Sequence, residues 1–396
     1  MEKLAIHGGK PVRSHYLPYG RQWIDDEDVK AVTDVLKSDF LTTGPMISAF
    51  EKELAAYTGA QYAVTFSNGT AALHAACFAA GIAEGDEVIT TSMTFAASAN
   101  CVLYVGGQPV FADIDPATYN ISPGSIEKNI TKRTKAIIPV DFTGQPAAYD
   151  EITALANKYG LTIIEDAAHA LGAKYKGKMV GSLSDMTMFS FHPVKHATTG
   201  EGGMITTNHR QYYEKLILFR NHGITRQQEQ LTENHGPWYY EMKHLGFNYR
   251  MTDIQAALGV SQLKKLPSFI GLRKKYVSMY NKAFEKVESV IIPEQSKGTD
   301  SSWHLYVIKL QTDRLRASRR EVFEALQKEN IGVNVHYIPV HLHPYYKQKG
   351  YNKGLCPYAE ELYESMITLP LFPAMTESDV KSVIKGVNKV VSYYLR

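Results

Sequence analysis

The chain has 396 residues, 44% of them hydrophobic and 21% charged, with a formal net charge of +3. That is ample apolar material for a soluble globular protein of two domains. The mild charge excludes a basic nucleic-acid arm, and no apolar run reaches the roughly 18 residues of a membrane span. The first nine residues lack an apolar signal core. Cys77, Cys101 and Cys356 make neither a disulfide framework nor a metal spacing. The 14 histidines show no ligand spacing backed by a carboxylate, so no metal is expected. A cytoplasmic protein suits these features.

From about Tyr62, short apolar strands alternate with helices. Strands are predicted over 63–66, 87–90, 109–112 and 136–140. Helices are predicted over 70–80, 96–105 and 150–159, with another opened by Ser122-Pro123. Strands over 161–165, 186–191 and 203–207 follow. This alternation predicts an α/β protein with a mostly parallel central sheet sandwiched by helices. The last two strands have no long helix between them, which predicts a hairpin carrying Lys195 at its turn. A boundary is read at Leu266-Pro267. The expected organisation is an N-terminal arm over 1–18, a large domain over 19–266 and a smaller C-terminal α+β domain over 267–396. The smaller domain is expected to hold a bridging helix over 269–287, strands over 304–310 and 333–336, and a helix over 319–329. A final helix opens at Thr376, with Asp379 at capping-box spacing.

The chemistry is concentrated in two segments. Lys195 lies in Ser190-Phe191-His192-Pro193-Val194-Lys195-His196, followed by the turn Thr199-Gly200-Glu201-Gly202-Gly203. Upstream, an apolar run ends in Glu165-Asp166-Ala167-Ala168-His169. A lysine on a Gly-flanked loop, with a carboxylate ending a buried strand, is what pyridoxal phosphate (PLP) chemistry needs. The amine forms the Schiff base with the cofactor aldehyde, and a buried, salt-bridged aspartate keeps the pyridine nitrogen protonated. Taken singly, such a lysine is usually a surface charge and such an aspartate a helix cap. Their order and surroundings overturn that. Asn68-Gly69-Thr70-Ala71, between a strand and a helix, offers a phosphate N–H groups, hydroxyls and a helix N-terminus.

Asn68-Gly69-Thr70-Ala71-Ala72-Leu73, the Asp166 and Lys195 segments, and Gly246-Phe247-Asn248-Tyr249-Arg250-Met251-Thr252-Asp253 occur in this order. Together they resemble the DegT/DnrJ/EryC1/StrS nucleotide-sugar aminotransferases, from about Tyr19 to the C-terminus. The resemblance implies the type I PLP-dependent aminotransferase fold. It implies Gly69, Thr70, Ala71 and Ser190 around the cofactor phosphate, and Phe95 stacked on the ring. Asp166 would sit at the ring nitrogen and His169 at the phenolic oxygen. Lys195 would serve as Schiff-base amine and then as general base. Asn248 would reach the phosphate of a neighbouring subunit, implying a homodimer with shared sites. Some relatives are 3-dehydratases with histidine in place of the lysine. Here the lysine is kept and His196 follows it, which favours transamination.

Two further segments, His235-Gly236-Pro237-Trp238-Tyr239-Tyr240-Glu241 and Val335-His336-Tyr337-Ile338-Pro339-Val340-His341, resemble the altrosamine transaminases of the pseudaminic-acid branch. That likeness implies amination at C4 of UDP-2-acetamido-2,6-dideoxy-β-L-arabino-hexos-4-ulose, with L-glutamate as donor. Tyr19, Asp39, Phe40, Leu41, Thr42, His336, Tyr337 and Ile338 would line the nucleotide-sugar pocket. Neither nucleic acid nor membrane is an expected partner. The alternatives are another nucleotide-linked 4-keto or 3-keto sugar, such as a dTDP-linked one, then PLP-dependent dehydration, then a cofactor-binding regulator.

Overall fold

The alternating strands assemble into one seven-stranded sheet in the computed structural model, which describes residues 2–396. The strands in chain order begin with β1 (Tyr62–Phe66), β2 (Glu87–Thr91), β3 (Gln108–Ala112), β4 (Thr134–Ile138) and β5 (Thr162–Asp166). A small hairpin outside the sheet follows, β6 (Lys174–Tyr175) and β7 (Lys178–Met179), and then β8 (Met186–Ser190) and β9 (Gly203–Thr207). The sheet order is β1-β9-β8-β5-β4-β2-β3. Every pairing from β3 through β8 is parallel, while β9 runs antiparallel to both β8 and β1. The mostly parallel sheet is therefore as expected, and β8 with β9 forms the hairpin around Lys195.

Side chains alternate across the sheet because successive residues of a strand point to opposite faces. Val64, Val88, Ile138, Ile164, Met188 and Ile205 pack with helices Gly69–Ala79 and Ala97–Tyr104 on one side. Their neighbours Ala63, Phe189 and Met204 pack on the other side, against helix Pro45–Thr58 and the start of Asp253–Phe284. With both faces covered, β2 and β9 are buried at every position, their threonines and Glu87 included.

Helix Asp253–Phe284 opens with a capping box between Thr252 and Gln255 and runs on through Pro267. The boundary expected at 266 thus falls inside a continuous helix. Its second half, with Tyr276, Tyr280 and Phe284, enters the core of a smaller antiparallel sheet. That sheet holds Val290–Ile291, Tyr306–Leu310 and Met366–Leu369. Helices Arg319–Lys328 and Glu377–Tyr394 pack on it, each opened by a capping box.

The strand expected over 333–336 does not form. Asn334 pairs with Thr368 at a single bridge, and its own Oδ1 accepts the Val335 N–H at 2.9 Å. Pairing along the open edge of Met366–Leu369 stops at that one bridge. The N-terminal segment is pinned by buried Glu329, whose carboxylate accepts from the amides of Ala5 and Val12 and from Lys389. All three cysteines are free and buried. Among the described residues, no helix is long and apolar enough to cross a membrane.

Candidate active site

The carboxyl ends of β5 and β8, the start of helix Gly69–Ala79 and the segment 334–337 enclose a cavity of about 840 Å³. Open α/β sheets bind ligands at this end of their strands.

Lys195 stands on the loop between β8 and β9, its backbone N–H donating to His192 O at 2.9 Å. The loop reverses through Gly200 at φ +79°. At Gly203 a Cβ would stand 2.5 Å from the Asn68 carbonyl oxygen, so only glycine lets the hairpin approach the Asn68 turn. The lysine is half-buried and opens onto the cavity. Desolvation pulls its amine down to about 8; Asp166 opposes this and Arg273 adds to it.

Asp166 ends β5 and is 4% exposed. Its Oδ2 accepts from Ser98 Oγ at 2.6 Å, and its Oδ1 accepts the Ala168 N–H at 3.1 Å. Ser98 in turn bonds Thr94 Oγ1 at 2.8 Å. Among the described residues no cation lies within ion-pair distance of this carboxylate. Burial therefore pushes its carboxyl up, against the pull of Ser98, the Ala168 amide and Lys195.

His169 is buried, its Nε2 bonded to Tyr337 Oη at 3.0 Å and its Nδ1 left without a partner. Burial holds it well below the usual imidazole range, so it is neutral. Phe95, which could have been a core residue, is 61% exposed in the cavity wall. At the Asn68 turn, Asn68 Oδ1 caps the Ala71 N–H at 2.8 Å. The Gly69 and Thr70 amides in that first turn have no acceptor within the helix. A Cβ on Gly69 would stand 3.3 Å from Met188 Sδ and 3.4 Å from Ser190 Cβ, so glycine keeps this corner open. Ala71 and Ser190 complete it.

Of the pocket residues expected from sequence, Tyr19, His336 and Tyr337 line the cavity. The Tyr19 and His336 rings lie 5.1 Å apart. His336 Nδ1 bonds Thr368 Oγ1 at 2.9 Å, and burial pulls the imidazole down to about 3. Asp39, Phe40, Leu41, Thr42 and Ile338 are not on these walls; Phe40 is 53% and Leu41 48% exposed on the outside. Asn248 is also exposed and outside the cavity, bridged through its backbone to Asn221. The sequence does not announce Ser98, His304 or Asn334, which all belong to the site. Ser98 lies in the first turn of helix Ala97–Tyr104, with no local pattern that marks it. His304 and Asn334 arrive from distant segments with no local pattern.

The DegT/DnrJ/EryC1/StrS aminotransferase family pattern matches residues 22–388. The spore coat polysaccharide biosynthesis protein SpsC of Bacillus subtilis is 43% identical over 381 residues, 96% of this chain and 98% of that one. PseC of Helicobacter pylori, an aminotransferase involved in the biosynthesis of pseudaminic acid, superposes with a TM-score of 0.89 at 33% identity. The match covers 96% of this chain and 100% of PseC. Spr1654 of Streptococcus pneumoniae in its PLP form superposes with a TM-score of 0.89 at 31% identity, covering 96% and 100% of the two chains.

Proposed function

Because the chain belongs to the DegT/DnrJ/EryC1/StrS family of PLP-dependent sugar aminotransferases, we propose that its cavity aminates a UDP-linked 4-keto sugar with Lys195 and Asp166 as catalytic residues. The cavity fits such a cofactor. Asp166 is a carboxylate without a cation, His169 Nδ1 is a buried nitrogen without a partner, and Phe95 presents an open aromatic face. The opposed placement of Lys195 and Asp166 in one cavity is the observation that carries the reading.

PLP, when bound, supplies an aldehyde for amino groups and a ring that withdraws electrons from the reacting carbon. The Gly69 and Thr70 amides, the Thr70 hydroxyl, Ala71 and Ser190 hold the phosphate at the helix N-terminus. Asp166 would hold the proton on the ring nitrogen from the cavity floor, its Oδ2 fixed by Ser98. Tyr337 stays protonated because burial raises its hydroxyl far above the usual range. Its O–H can therefore donate to His169 Nε2, which leaves the proton of that neutral imidazole on Nδ1 as a donor. Lys195, whose amine burial brings down to about 8, would take the proton from the α-carbon of the amino donor in the first half-reaction and deliver a proton to C4 of the sugar in the second.

The acceptor is UDP-2-acetamido-2,6-dideoxy-β-L-arabino-hexos-4-ulose and the donor L-glutamate. Support comes from the segments 235–241 and 335–341 and from the similarity to PseC. A second acceptor, from another cell-surface polysaccharide pathway, is favoured by the 43% identity to SpsC. The working unit is a homodimer in the cytoplasm, with Asn248 serving the partner's phosphate site; its exposure outside its own cavity supports this.

Borohydride reduction of the PLP-loaded protein, followed by peptide mapping, should place the cofactor on Lys195. Incubation with glutamate and a panel of UDP- and dTDP-4-keto sugars then identifies the product. The UDP sugar should exceed its dTDP analogue by at least about tenfold in kcat/KM. Equal use of the dTDP sugar would remove the UDP assignment and leave the aminotransferase chemistry standing.

A further inference from the structure

Arg273 is 1% exposed, on helix Asp253–Phe284, and no carboxylate pairs with it among the described residues. A buried charge without a counterion is costly unless hydrogen bonds replace its water. Here three carbonyls do so: Nη1 donates to Trp303 O at 3.2 Å, His304 O at 3.0 Å and Leu371 O at 2.9 Å. Burial brings the guanidinium down to about 9, and it remains a cation at neutral pH.

The carbonyls it grips belong to the machinery around Lys195. Residues 301–305 form a strap from the smaller half of the molecule laid behind the cavity. Ser302 N donates to Gly144 O at 3.1 Å, and Ser302 Oγ donates to His169 O at 3.1 Å. His196, next to Lys195, bonds Ser302 O through Nε2 at 3.0 Å. The docking is close: a Cβ on Gly144 would stand 2.8 Å from both His169 O and Trp303 N. His304 thereby enters the cavity wall, its ring 4.4 Å from that of His169. Leu371, the third carbonyl, gives its own N–H to Tyr19 O at 3.0 Å.

Charge around Lys195 is sparse. The acids on the cavity walls are Asp166 and Glu201, and the imidazoles are His169, His192, His304 and His336. His169, His304 and His336 are kept neutral by burial, as is His196 behind them. Burial raises the hydroxyls of Tyr19, Tyr249 and Tyr337 above the usual range. Arg273 is then the buried cation that faces this group from the helix side, and its field reaches Lys195, His196 and His304.

We propose that Arg273 is a positioning residue for Lys195: it docks the 301–305 strap against His196 and holds a fixed positive charge behind the lysine, which enlarges the neutral, nucleophilic fraction of the amine. The proposal rests on Lys195 being the cofactor lysine. Arg273 itself does not line the cavity.

The test uses the cofactor-free full chain and competitive acetylation of its lysines across pH, read by peptide mass spectrometry. In the wild type Lys195 should titrate with a midpoint of about 8. In Arg273→Met its labelling at pH 7 should fall by about three- to tenfold, because loss of a nearby charge moves the midpoint upward. Arg273→Lys, which keeps the charge, should label like the wild type. A folded Arg273→Met protein with unchanged Lys195 labelling overturns the proposal. If Arg273→Met does not fold, Arg273→Lys decides: wild-type labelling supports the charge role, and reduced labelling overturns it in favour of packing. Borohydride trapping of PLP on another lysine would overturn the functional reading instead, without altering the acetylation result.

Discussion

The inner and outer parts of the proposed site are built differently. On the inner side, Asp166, His169 and the Asn68 turn take their bonds from the same chain and are held by strand ends and a capped helix. On the outer side, residues 39–42 and Asn248 are exposed and miss their own cavity. The chain segment before Asn248 also leaves large apolar side chains uncovered, Trp238 at 70%, Met242 at 65% and Leu245 at 77% exposure. Exposed apolar groups of that size are what an interface with a second chain buries, and they suit the homodimer proposed above. On the proposed reading a single chain provides the proton-handling half of the chemistry, and a second copy completes the other half.

The inner side can be broken most severely at Lys195. Lys195→Ala should leave the fold intact and remove turnover to the background, with no cofactor trapped by borohydride. Wild-type turnover in that variant would end the assignment. Asp166→Asn comes next. The amide keeps the shape and the bond to Ser98 but not the charge, and kcat should fall by at least about 10²-fold, with PLP affinity much less affected. Near-normal kinetics would mean that another carboxylate serves the ring.

The outer side is tested by complementation. Lys195→Ala and Asn248→Ala proteins should each be inactive or nearly so. Mixed with subunit exchange, they should recover about a quarter of the wild-type turnover, because about half the dimers are mixed and each mixed dimer holds one intact site. No recovery despite proven exchange would make Asn248 a surface residue, and the comparison above would lose its second term.

The same division explains what could be read from the sequence. The inner residues lie in contiguous segments, 68–71, 165–169 and 190–203, where a strand end or a helix start fixes each side chain by local rules. The sheet, its antiparallel β9 hairpin and the capped helices were legible for the same reason. What escaped depends on distant contact. Ser98 became a partner of Asp166 only when the helix Ala97–Tyr104 packed beside β5. His304 reached the cavity on a strap whose anchor, Arg273, is a helix residue like any other in sequence. The strand expected over 333–336 is reduced to one bridge, Asn334 to Thr368, on the edge of Met366–Leu369.

The smallest predicted effect lies beneath the inner side, where Asp141 and Glu165 are both fully buried. Asp141 Oδ1 accepts from the Ala147 amide and from Tyr149 Oη at 2.9 Å each, and Glu165 Oε2 accepts from Thr187 at 2.6 Å. Asp141 Oδ2 and Glu165 Oε1 are the oxygens without donors, and the two carboxyls contact each other. Burial, together with the charge of Glu165, pushes Asp141 well up, and burial raises Glu165 as well. The pair therefore holds a shared proton that the unfolded chain would release. A carboxyl raised in the folded state lends stability at low pH that is lost as pH rises through its folded value. Asp141→Asn supplies an N–H in place of that proton and does not titrate. Its melting temperature relative to the wild type should thus rise between pH 5 and pH 9, by about 2–4 °C. Because the Asp141 amide donates to Asp166 O at 3.1 Å, loss of this support would loosen the strand end that carries the catalytic carboxylate. An identical difference in melting temperature at both pH values would show that no proton is shared, and that the inner side owes nothing to this pair.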